Sequence, residues 1–93
     1  MKITRREVAE KLKDYLLHRI TLEELVDWAE QVMMEGDFEE QDFETLRDIV
    51  SRLGLADVRA FGITWEDCES FLSRLGYQVQ ITILERPVAS ASR

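Results

Sequence analysis

Ile20-Thr21-Leu22-Glu23-Glu24-Leu25-Val26-Asp27-Trp28-Ala29-Glu30-Gln31-Val32-Met33-Met34-Glu35-Gly36 is the stretch whose reading decides the fold. Leu22, Leu25, Val26, Ala29, Val32 and Met33 recur at three- and four-residue spacing, which is one face of a helix. Thr21 stands before the first of them as an N-cap, and Glu24 at N3 completes a capping box. Ile20 and Leu25 fall at the positions of a hydrophobic staple. Gly36 follows the last turn and suits a left-handed closing residue. A helix over 22–35 is therefore specified at both ends.

The same grammar recurs on either side. Ile3-Thr4-Arg5-Arg6-Glu7-Val8 places cap Thr4, box residue Glu7 and staple Ile3 with Val8. Ile63-Thr64-Trp65-Glu66-Asp67-Cys68 repeats it, with Asp67 where Glu or Gln is preferred. Ser51-Arg52-Leu53-Gly54 and Ser73-Arg74-Leu75-Gly76 are matching endings, each with Gly for the C′ position and Arg in the last turn. Leu55 and Tyr77 then stand as the hydrophobes that follow. The segments between these signals differ in length and pattern, so they are shared punctuation and not a solenoid repeat.

The spacing predicts four helices, at about 5–18, 22–35, 39–53 and 65–75. Val8, Leu12, Tyr15 and Leu16 face inward on the first. Phe43, Leu46, Ile49, Val50 and Leu53 do so on the third, and Trp65, Cys68, Phe71, Leu72 and Leu75 on the fourth. A link of about two residues makes the first two helices an antiparallel hairpin. After Gly76 the period becomes two: Tyr77, Val79, Ile81 and Ile83 alternate with Gln78, Gln80 and Thr82, as in a half-buried strand. Ala56–Phe61 reads either as a short strand to pair with it or as a further helical turn; without it the strand pairs with a second copy of the chain or adds to a partner's sheet. The expected fold is mainly α: a compact bundle of about four short helices with one C-terminal β-strand. Residues 1–84 form a single domain, and 85–93 form a small, polar, frayed tail.

Composition bounds the rest. Ninety-three residues, 45% hydrophobic and 33% charged with four Gly and one Pro, make one folded domain and exclude a multidomain machine. Such a chain buries about 60–65% of its unfolded surface, so its core is modest. One cysteine, Cys68, permits no intramolecular disulfide and fits a reducing compartment. The basic N-terminal residues are not followed by an apolar h-region. The longest apolar runs are three or four residues, far short of the ~20 of a membrane span. A soluble cytoplasmic protein, not bound to membranes, is expected.

Charge is the sharpest functional clue. Residues 1–20 carry six bases and three acids, whereas residues 21–48 carry eleven acids and one base; residues 49–93 balance at five of each, leaving −7 overall. Glu23, Glu24, Asp27, Glu30, Glu35, Asp37, Glu39, Glu40, Asp42 and Glu44 thus form an acidic ridge along the second helix, its exit loop and the start of the third. Either this is a solvated face, or it is a docking surface for a basic protein, because a field of one sign speeds association and selects partners. Phe38 and Phe43 among the acids read as core residues or as aromatic anchors of an interface. Trp28, at the margin of its stripe, reads as a lid on the core. The same net charge argues against nucleic-acid binding. Lys2, Arg6 and Lys13 share one narrow sector of the first helix, but Glu66, Asp67 and Glu69 at the opening of the fourth would repel phosphate.

Catalytic constellations are missing. His18, the only histidine, stands at a helix C-terminus, where an imidazole suits the dipole. Cys68 lies at a staple position and reads as a small buried hydrophobe, not as the nucleophile of a Cys–His pair. No Gly-rich phosphate loop or Glu-x-x-His pair is present, and one Cys with one His gives no Cys/His metal spacing. In Glu35-Gly36-Asp37-Phe38-Glu39 the glycine precedes the acids, contrary to a calcium loop. No enzyme, metal or cofactor is expected.

Tyr15-Leu16-Leu17-His18-Arg19-Ile20-Thr21-Leu22-Glu23-Glu24-Leu25-Val26-Asp27-Trp28-Ala29-Glu30 resembles the first helical hairpin of small uncharacterised bacterial proteins. It is also similar in style to colicin and polymorphic-toxin immunity proteins, which are compact, acidic and helical. The resemblance covers about the first half of the chain and implies a bacterial source and a toxin-neutralising role. The expected function is noncatalytic binding of a basic protein through Glu23, Asp27, Glu30, Glu35, Asp37, Phe38, Glu39, Glu40 and Asp42. The alternative is a self-assembly module that dimerises through Tyr77, Val79, Ile81 and Ile83.

Overall fold

Residues 2–56 and 62–85 of the chain are described by a computed structural model. Helix α1 spans Arg5–Leu16, α2 Leu22–Glu35, α3 Phe43–Gly54 and α4 Trp65–Arg74, with a 3-10 turn over Glu40–Asp42 ahead of α3. The mainly α architecture with four helices is as the sequence predicts. The candidate short strand within Ala56–Phe61 falls mostly, and the tail almost wholly, outside the described residues.

Each threonine cap is made. Thr4 Oγ1 accepts from the Glu7 amide at 3.2 Å while Glu7 Oε1 accepts from the Thr4 amide at 3.1 Å. Thr21 and Glu24 exchange the same pair of bonds at 3.1 and 2.8 Å. Thr64 and Asp67 exchange theirs at 3.0 and 3.0 Å, so the shorter carboxylate also closes the box. Each threonine cap contributes about 1 kcal/mol.

The helix ends follow the sequence less uniformly. Gly76, at φ 90°, closes α4: the Tyr77 amide donates to the Leu72 carbonyl at 2.8 Å and the Gly76 amide to Ser73 at 3.0 Å. That is a Schellman closure with Tyr77 at C″. Gly54 does not share this role. It is the last residue of α3, and a Cβ there would meet Ala29 and Glu30 of α2 at ordinary contact distances of 3.6 to 3.8 Å. Helix α1 stops at Leu16, two residues before the expected His18, because His18 itself turns left-handed at φ 62°. Its amide donates to Tyr15 at 3.1 Å and that of Arg19 to Asp14 at 2.8 Å. This is the same closure built on a residue with a side chain, which is why the sequence carries no glycine signal for it.

The third helix begins at Phe43 and not at about residue 39. Ile3 and Phe38 form a parallel backbone bridge, in which the Ile3 amide donates to the Asp37 carbonyl at 2.7 Å and the Glu39 amide to the Ile3 carbonyl at 2.9 Å. Glu39 is consequently extended, with ψ 133°, and a helix cannot include it.

The core is a single apolar cluster. Val8 and Leu12 of α1, Leu25 and Ala29 of α2, Leu46, Ile49, Val50 and Leu53 of α3, and Cys68 of α4 are fully enclosed. Ile3, Ala9, Val32, Phe38, Phe71, Leu72 and Leu75 complete it among the described residues. Two expected inward residues lie at its edge: Phe43, 41% exposed, and Trp65, 38% exposed. Each opens a helix, and the exposed-edge Phe43 ring meets the enclosed Phe38 ring edge to face at 5.9 Å. Lys11 Nζ lies 5.7 Å from the Trp28 ring centroid, tying α1 to α2. Arg74 of α4 donates to Asp48 of α3 at 2.7 Å, and Arg52 reaches the same carboxylate at 3.3 Å. The Arg74 hydrogen bond, joined by Arg52, holds the Asp48 carboxyl below its usual range. The stabilisation is complete at neutral pH and fades as pH falls through that lowered value.

Residues 77–85 leave α4 without entering a helix, and they pair with no strand among the described residues. The expected C-terminal strand is therefore not formed among the described residues: Val79 alone is half-buried against the core, while Tyr77, Ile81 and Ile83 are exposed like Gln78 and Gln80, because no neighbouring strand supplies a ladder.

Helix α2 closes on Gly36 at φ 65°, and the other two left-handed closures, at His18 and Gly76, give opposite predictions. His18→Gly should raise unfolding stability by about 0.5–1 kcal/mol, and Gly76→Ala should lower it by about 1–2 kcal/mol. Urea midpoints measured on both variants check this, and two unshifted midpoints would contradict it.

Candidate interaction surfaces

The acidic residues of α2 point outward by the same periodicity that buries Leu25, Ala29 and Val32. Glu23, Glu24, Asp27, Glu30 and Glu35 are all exposed. Glu23, Asp27 and Glu30 lie at i, i+4 and i+7 and form one stripe. Met34 continues that stripe at 87% exposure. An apolar side chain standing in an acidic face is what the sequence reading overlooked. The signal was available, since residue 34 falls in the sector of Asp27 and Glu30 and not in that of Ala29 and Val32.

The remainder of the ridge is divided. Glu40 and Glu44 are exposed, whereas Asp37, Glu39 and Asp42 are half-buried in the connection to α3. Asp37 and Glu39 supply backbone groups to the Ile3 bridge. Phe38, expected among the partner-binding residues, is 4% exposed and belongs to the core. Its ring is drawn inside because the bridge fixes the backbone on either side of it. Phe43 retains the exposed edge.

A second surface lies elsewhere. A groove of about 770 Å³ runs between α1, the start of α4 and residues 77–81. Ala9, Leu16, Leu17, Trp65 and Leu72 give it an apolar lining, and Arg6, Glu10 and Lys13 give it charge. Arg6 and Lys13 thus stand beside Glu10, as their shared helix sector implies. Ile81, Ile83 and Leu84 continue past the groove at 63%, 90% and 78% exposure. Of the expected self-association residues, Tyr77, Val79 and Ile81 line the groove and Ile83 lies beyond it.

His18 borders a different hollow, of about 570 Å³, with Tyr15, Thr21 and Thr64. The hydroxyls of Thr21 and Thr64 are engaged in the caps, and the Tyr15 hydroxyl donates to the Ile63 carbonyl at 3.4 Å. Cys68 does not line this hollow and is fully enclosed. Burial pushes its thiol up to about 11, helped by the charge of Asp67. Burial, with a smaller contribution from Cys68, also raises the Tyr15 phenol. Among the described residues no group of three or more His, Cys, Asp or Glu side chains is placed to hold a metal ion. No described helix is long and apolar enough to cross a membrane.

No protein-family model matches the chain, and no curated protein or solved structure is found similar to it.

The enclosed thiol has a measurable consequence, since the thiolate is the reacting form and needs both exposure and ionisation. Iodoacetamide at pH 8 should modify Cys68 at least about 100-fold more slowly in the native protein than in 6 M urea. Equal rates in the two states would show that the α4 face opens freely.

Proposed function

We propose that this protein is a noncatalytic, cytoplasmic protein-binding domain, and that the outer face of α2 docks on a basic protein. The observation that carries the reading is the stripe of Glu23, Asp27 and Glu30 continued by Met34, which is 87% exposed. Acids in such a stripe steer encounter with a positive surface, and a flexible thioether fills an irregular apolar hollow once contact is made. The resemblance of the α1–α2 stretch to toxin-immunity proteins makes inhibition of a basic, nuclease-like toxin the leading form of this role. Glu35 and Glu40 extend the negative field beyond the helix. Asp37, Glu39 and Asp42 contribute charge from half-buried positions, and Phe38 supports the loop from within.

The test compares two baits, the natural chain and the variant Glu23→Lys/Asp27→Lys/Glu30→Lys. The natural chain should retain a basic protein in stoichiometric amount at low salt and release it at high salt. The variant should lose at least about tenfold in association rate with that protein. Equal association rates at low salt would sink the acidic-face reading.

A second reading is favoured by a separate observation: the exposed Ile81, Ile83 and Leu84 on a non-helical segment with no ladder partner among the described residues. Here the protein is a self-assembly module that pairs through the strand Tyr77–Leu84. Ile81→Pro removes an amide from such a ladder and should give a folded monomer by sedimentation, with unchanged helical circular dichroism. A dimer that survives the proline would refute pairing through this strand.

A further inference from the structure

We draw no further inference here: the strongest candidate, the largely apolar groove between α1, the start of α4 and residues 77–81, is an open face, and nothing in the structure shows what covers it.

Discussion

The parallel bridge between Ile3 and Phe38 is the constraint on which the rest of the structure depends. Its two backbone hydrogen bonds, 2.7 and 2.9 Å long, tie the entry of α1 to the connection between α2 and α3. They hold Ile3 and Phe38 in the core at 8% and 4% exposure. They also fix where α3 can begin, since Glu39 is held extended and the first helical hydrogen bonds form only beyond it. Helix α3 has no side-chain cap of its own. Its start is set from outside, by a residue about forty positions earlier in the chain. The helix with the most enclosed side chains, Leu46, Ile49, Val50 and Leu53, is therefore positioned by a tertiary contact and not by a local signal.

That contrast explains what was legible in the sequence. Helices α1, α2 and α4 are started by Thr-x-x-Glu or Thr-x-x-Asp boxes, whose donors and acceptors all lie within three residues, and a local pattern can be read locally. The Gly36 and Gly76 closures are legible for the same reason. The closure at His18 was hidden because a residue other than glycine holds the left-handed position. Gly54 misled in the other direction: it matches the Gly76 ending in sequence but lies within α3, against Ala29 and Glu30. Phe38 and Phe43 were indistinguishable by type and spacing. Only the bridge decides that the first is enclosed and the second is left with an exposed edge. The period-two run after Gly76 could be seen, but its pairing could not, because that depends on groups outside the run.

The two candidate surfaces differ in kind. The outer face of α2 is charged, helical and marked by a single exposed Met34. The groove has a largely apolar lining bounded by residues 77–81, with Arg6, Glu10 and Lys13 along it. An encounter on the first is governed by long-range charge and is sensitive to salt. An encounter on the second would be governed by burial of apolar surface, which salt hardly touches. The two surfaces share no residue.

The interior carries a consequence of its own. Among the described residues no polar or charged side chain is buried. An interior made only of Leu, Val, Ile, Phe, Ala and Cys attracts strongly but discriminates poorly, since neighbouring alignments of the same helices bury similar area. The uniqueness of the fold is thus delegated to the chain's punctuation among the described residues: three capping boxes, three left-handed glycines, one left-handed histidine and one backbone bridge. Volume-conserving exchanges inside should cost this protein little of its identity, whereas small changes at helix ends would loosen which structure it adopts while leaving it collapsed.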